Sequence, residues 1–257
     1  MKKVFSLLMC LFTVFCFNCN VVYAQDNVYN IDELKMSLKI PEELVVFTRN
    51  IDENDPNLGL FKTDKATLEE LYKASDIYLT IFDKTNKYSI IISMYENDYS
   101  KSVYNFNELE DEELIKQAQE LNDIDLMSKN GITFLDFITY NTNQAKFVKM
   151  NFEKIEKTQT MYGVQCQTIV NGQTINIGLS SYDNLKTVQK DEFLNKIIDS
   201  ISFSEVLENP NPHKNNNSTY FYIKNISFVV VALVSFWFFY NYLIKKKKRN
   251  ISAPNIL

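Results

Sequence analysis

Apolar side chains at Leu34, Met36, Leu38 and Ile40 alternate with Lys35, Ser37 and Lys39, a period of two that predicts a half-buried strand ended by Pro41. Residues 25–32 before it form a polar lead-in, and residues 44–47 resume an extended apolar run. Residues 50–59 gather Asn, Asp, Pro and Gly and are expected to form a long surface loop. Thr67-Leu68-Glu69-Glu70 fits a capping box, which predicts a short helix over residues 68–74. Ile77, Leu79 and Ile81 alternate into a turn at residues 83–86, and the β-branched and aromatic residues 88–95 complete a hairpin.

Residues 107–119 turn acidic and then place Leu114, Ala118 and Leu121 on one helical stripe, with the acidic first turn at the positive end of the helix dipole. Asn130-Gly131 ends that helix, and strands are expected at 132–140, 145–152, 159–170 and 174–181. Asn171-Gly172 is the pair that a type I′ hairpin turn favours, because both central residues need positive φ; Asn141-Thr142-Asn143 is a weaker turn. Phe193, Leu194, Ile197, Ile198 and Ile201 predict an amphipathic helix over 188–201 that closes the domain, with Ile201 and Phe203 docking its end.

A different pattern governs the ends. Residues 226–244 carry no formal charge and, at about 1.5 Å per residue, match the ~30 Å hydrocarbon core of a bilayer. Lys245 to Lys248 and Arg249 follow at once, against Lys224 alone on the other flank, which places the C-terminus in the cytoplasm. Their plain role is stop-transfer, and contact with anionic lipid is the sharper one. Lys2 and Lys3 precede the apolar run 4–17, and Val22-Tyr23-Ala24 offers a signal-peptide cleavage site after Ala24. The expected organisation is a signal peptide at 1–24, an extracytoplasmic domain at 25–208, a polar stalk at 209–225, a transmembrane helix at 226–244 and a basic tail at 245–257. The location this implies is the plasma membrane, single-pass, with the domain outside.

Composition narrows the partners. The chain has a net charge of −5. All 32 acidic residues but only 19 of the 27 basic ones lie in 25–219, which gives that segment −13 and excludes nucleic acid as a natural partner. Cys10, Cys16 and Cys19 would leave with the signal peptide, so Cys166 has no intramolecular disulfide partner and the domain must be held by its own core.

The element order, together with the stretch Ile198-Asp199-Ser200-Ile201-Ser202-Phe203, resembles the PsbP/Mog1/DcrB-like group over residues 34–203. The resemblance implies an α+β fold in which an antiparallel sheet is sandwiched between helices. It also implies a protein-binding scaffold without naming a partner.

No side-chain constellation for catalysis stands out. The single histidine, His213, falls in the stalk, which removes histidine-dependent triads and zinc sites from consideration. Without an activating histidine, Cys166 is expected to be an inert core residue. Asp52, Asn54 and Asp55 hint at a calcium loop, but Pro56 takes a ligand position and Thr63 stands where a glutamate is needed. Glu108, Glu110, Asp111, Glu112 and Glu113 suit a solvated helix start, Gly163, Gly172 and Gly178 suit strands or turns, and the tyrosines suit strand and rim positions with a minority available for binding. No catalytic, cofactor-binding or metal-binding residue is therefore assigned, and no cofactor is expected. The expected function is a membrane-tethered extracytoplasmic binding or accessory domain for a protein or cell-envelope component, and not an enzyme. The alternatives are a cell-envelope hydrolase using carboxylates alone, and a cell-wall-sorted surface protein, for which Asn209-Pro210-Asn211-Pro212-His213 is a poor sortase motif.

Overall fold

The computed structural model describes residues 26–210 apart from 86–87, 123, 130, 157–158 and 182–187. The expected signal peptide, transmembrane helix and basic tail lie outside the described residues, as does the stalk beyond Pro210. No described helix is long and apolar enough to cross a membrane.

In chain order the elements are β1 (Asp26–Ile31), β2 (Met36–Pro41), β3 (Val45–Thr48), α1 (Pro56–Phe61), α2 (Lys65–Ala74), β4 (Ile77–Phe82), β5 (Tyr88–Tyr95) and α3 (Asp98–Val103). They continue with α4 (Asp111–Leu121), α5 (Ile124–Lys129), β6 (Ile132–Asn141), β7 (Lys146–Glu156), β8 (Gln159–Val170), β9 (Gln173–Ser181), α6 (Val188–Asp199) and β10 (Ser202–Phe203). Short 3₁₀ turns occupy Asp32–Leu34 and Phe106–Glu108.

Seven strands make one antiparallel sheet in the order β3-β4-β5-β9-β8-β7-β6, and β1, β2 and β10 make a second, small antiparallel sheet. The alternation of side chains divides the large sheet into two faces. One face, with Leu79, Ile81, Ile90, Ile92, Val164 and Ile177, packs on α6 and the small sheet. The opposite face meets the other helices in two separate apolar clusters. One joins Leu58 of α1 and Leu68 and Tyr72 of α2 to Phe47, Phe82, Ile91 and Phe152, and the other joins Tyr99, Val103, Leu114 and Ala118 of α3 and α4 to Val148, Met150 and Ile169.

The expected sheet flanked by helices is therefore present, with one correction: an outer layer is shared between α6 and a second sheet. The Ile198 to Phe203 stretch explains how. The Asp199 carboxylate accepts from the Tyr140 hydroxyl at 2.7 Å, and the Ser200 hydroxyl accepts the Lys39 N–H at 2.9 Å. Ile201 and Phe203 are buried, and Ser202-Phe203 then pairs with Ser37-Met36.

Other expectations are corrected as well. The polar lead-in is strand β1, aligned with β2 from Asp26↔Pro41 to Ile31↔Met36; among its side chains only Ile31 is buried, so no alternation announces it. The loop 50–59 gives way to α1, started by Pro56 in the first turn and capped by Asp55, whose Oδ1 accepts the Asn57 N–H at 2.8 Å. Helix α2 begins at Lys65 because Asp64 is its cap, accepting from the Thr67 N–H at 2.8 Å, so Thr67 lies inside the first turn. A further helix, α3, is held by reciprocal bonds between Asn97 and Ser100, and the region before Gly131 contains α5 as a separate helix. The Asn171-Gly172 turn has φ of 54° and 78°, as the type I′ hairpin requires.

Candidate functional site

The acidic candidates do not converge. Asp111 receives the Lys146 ammonium at 3.3 Å and the Thr139 hydroxyl at 3.2 Å, Glu113 takes the Gln117 amide at 2.5 Å, and Glu108 takes the Asn105 amide at 3.3 Å. Their surroundings are those of a solvated helix start, with Asp111, Glu112 and Glu113 in the first turn of α4. In the 50–59 segment Asp52 turns its Oδ1 to the Asn54 N–H at 2.8 Å. Among the described residues no group of three or more His, Cys, Asp or Glu side chains could hold a metal. Cys166 is fully buried on the α6 face, and desolvation pushes its thiol up to about 12.

The tyrosines serve the interior more than the rim. Tyr72 lies inside the α2 cluster with its hydroxyl between Thr80 Oγ1 and the Phe47 carbonyl, Tyr99 donates to Gln117 at 2.6 Å, and Tyr162 donates to Asn151 at 2.6 Å. Tyr162 belongs to a network under α6. Asn151 donates to Asp136 at 2.5 Å, Lys149 reaches Asn195 at 3.1 Å and Asp191 at 3.8 Å, and Lys190 reaches Ser181 at 2.5 Å. Desolvation, then the charges of Asp191, Asp136 and Glu153, raises the Tyr162 phenol. The network fixes α6 to the sheet.

Two features remain that packing alone does not require. The first is a polar seam on the helix-facing side of β5, β9 and β8, where Ser93, Asn176 and Gln167 align across the strands and Gln165 stands one row along. All four are at most 2% exposed. Gln165 and Gln167 each donate their amide to Asn176 Oδ1 at 3.0 Å, and Gln167 also reaches the Tyr95 hydroxyl at 3.4 Å. Gln165 Oε1, Gln167 Oε1, Asn176 Nδ2 and Ser93 Oγ have no hydrogen-bond partner among the described residues. Each such group costs about 1–3 kcal/mol of folding stability.

The second feature is the outer edge of the large sheet. Strand β6 is ten residues long, pairs on one side only among the described residues, and carries a single charged side chain, Asp136, whose carboxylate is taken by Asn151. A bulge between Phe134 and Asp136 leaves 136–141 in unbroken register, and Leu135, Ile138 and the neighbouring Ile155 of β7 are 48%, 50% and 64% exposed. Edge strands are usually blunted by charge or proline. Here the regular half of the edge has neither facing outward.

No family model and no curated protein sequence matches the chain. Among solved structures it is similar to cyanobacterial PsbP from Synechocystis, with a TM-score of 0.45 and 10% identity over 72% of this chain and 95% of that one. The immunity protein TplEi of the type VI secretion system of Pseudomonas aeruginosa gives a TM-score of 0.34 and 8% identity over 69% and 97% of the two chains. The extracellular domain of PknH from Mycobacterium tuberculosis gives 0.27 and 10% identity over 67% and 91%.

The strand edge offers backbone N–H and C=O groups beside apolar contacts, the requirements for adding a strand from another chain. Sequence reasoning placed β6 correctly but had no signal for its position at the edge, which depends on the order of seven strands.

Proposed function

We propose that this chain is a membrane-tethered extracytoplasmic binding domain that holds an extended segment of a protein partner along β6. The observation that carries this reading is the edge of β6, unpaired among the described residues, regular over residues 136–141 and bearing exposed Leu135 and Ile138. Main-chain pairing would supply affinity, and the two apolar side chains would supply selectivity. The tether is supported by the order signal peptide, domain, polar stalk and apolar span in the sequence. Confinement beside a membrane partner raises the effective concentration and lets a modest interface suffice.

A photo-crosslinker placed at Ile138 of the full-length protein in its own membranes tests the reading. The expected result is a discrete protein adduct at Ile138, absent with the crosslinker at Val46 on the opposite edge, and lost in a Leu135→Lys background whose melting temperature is unchanged. Equal labelling at both edges would refute edge binding. A hydrolytic activity abolished by one substitution among Glu108, Glu110, Asp111, Glu112 and Glu113 would refute the non-enzymatic reading. Protease applied to intact cells lacking an outer membrane should remove the domain and spare the tail.

A further inference from the structure

The seam over β5, β9 and β8 begins two strands in from β6, and its Gln167 reaches Tyr95, which packs against the α1–α2 cluster. Its unpartnered atoms do not arise from the choice of amide orientation. Three amides present six polar ends, and the two bonds among them use Gln165 Nε2, Gln167 Nε2 and Asn176 Oδ1, leaving three ends outward however the amides are turned. Ser93 Oγ, opposite Asn176, adds a fourth unpartnered group at the same place.

We propose that this seam is a binding site for a neutral sugar ring, reached by parting the α1–α2 flank from the α3–α4 flank. Charge decides against ions. On this face β5 contributes Ser89, Ile91, Ser93 and Tyr95, β9 contributes Thr174, Asn176, Gly178 and Ser180, and β8 contributes Gly163, Gln165, Gln167 and Ile169, none of them charged. An anion would meet no cationic side chain on these strands and a cation no carboxylate, so either charge would be buried uncompensated. An apolar ligand would leave every unpartnered atom as it is.

A sugar fits what remains. Sugar hydroxyls both donate and accept, so they pair with the outward ends of Gln165, Gln167 and Asn176 whichever way the amides are turned, and with Ser93. The two glutamines stand two residues apart on one strand, their Cα atoms about 7 Å apart, and both amides converge on Asn176, so the several hydroxyls of one ring can reach all three. The seam borders both apolar clusters of this face, which meet at Phe134, so entry there parts the flanks on either side of that ring.

The test is calorimetric titration of the full-length protein in lipid nanodiscs with maltose, with N,N′-diacetylchitobiose and with galacturonate. Saturable binding is expected for at least one neutral disaccharide and not for the uronate. Gln165→Leu keeps the Gln167–Asn176 bond and removes one unpartnered oxygen, so it is expected to raise the melting temperature while weakening binding at least tenfold. Gln167→Met is the second variant, with the same loss of binding expected even if its stability falls. The proposal is overturned if neither disaccharide binds at about 10 mM, if the uronate binds as well as the sugars, or if either variant binds as the parent does. The outcome is independent of crosslinking at Ile138.

Discussion

Gly163 is the position where the smallest change should do the most damage. It faces Phe152 across the β7–β8 pair, and the phenyl ring lies over it so closely that a Cβ at 163 would sit 2.1 Å from Phe152 Cζ and 2.6 and 2.7 Å from Cε2 and Cε1. Gly163→Ala therefore forces the ring or the strand to move. The ring has little freedom to do so, being 1% exposed and edge-on to Phe134 with 6.2 Å between centroids. Overpacking by one methyl costs about 1–3 kcal/mol, and complete loss of a buried phenyl's packing costs about 3–5, so a value near 3 kcal/mol is expected. For a domain of this size that lowers the melting temperature by roughly 6–12 °C. Urea unfolding followed by circular dichroism measures it. Phe152→Leu opens the space, so the double variant should be at least ~1 kcal/mol more stable than the sum of the two single changes. A cost under ~0.5 kcal/mol for Gly163→Ala, or strict additivity, would show that the ring over Gly163 is not what the glycine is for.

Gly172 has φ of 78°, so Gly172→Val should cost about 1 kcal/mol or more in the same unfolding assay, and an unchanged midpoint would argue against the turn. Asn105 accepts the Asn171 N–H at 2.9 Å and donates to the Leu207 carbonyl at 2.7 Å, pinning the chain's exit from the domain to the β8–β9 turn. Asn105→Ala should cost about 2 kcal/mol and expose residues 204–208 to limited proteolysis. Burial raises Cys166 and Tyr95 to about 12 and raises Tyr72 further, whereas the unfolded chain ionises near 8.5 and 10. Stability is thus fully present below about pH 8 and is lost as pH rises toward the folded values, by about 1.4 kcal/mol per pH unit for each group ionised only when unfolded. Cys166→Ala should flatten the urea-midpoint curve between about pH 8.5 and 10, and a midpoint constant to pH 11 would contradict the assignment.

The strands of the large sheet were legible because each carries its own signal: alternation in β4, β-branched density in β5, and Asn-Gly between β8 and β9. Elements whose signal lies in the backbone or in a partner were not. Strand β1 exists because β2 offers it hydrogen bonds, and α1 because Pro56 starts inside the helix behind an aspartate cap. The same proline and aspartate read as loop formers when taken without their position. The negative reading of Cys166 was available from composition, but the tyrosines misled. Tyr72, Tyr99 and Tyr162 hold interior hydrogen bonds, and the exposed large side chains at the sheet edge are aliphatic.

The seam was invisible for a more instructive reason. Along β8 the residues Tyr162, Val164, Cys166 and Val170 point to α6, and Gly163, Gln165, Gln167 and Ile169 point the other way. By pattern, that second row belongs to a strand with one wet face. A central strand covered on both faces ordinarily reads as a continuous apolar run. Here the row written for water is at most 2% exposed at both glutamines, and β9 repeats the contradiction with Thr174, Asn176 and Ser180 opposite Ile175, Ile177 and Leu179. Apolar residues at those positions would have satisfied the packing without leaving amide ends unpartnered. The polar pattern is that of a face in contact with hydrogen-bonding groups, as the proposed sugar site requires. A stabilising Gln165→Leu variant that no longer binds a neutral sugar would bear that reading out, because packing gains from the change and recognition loses by it.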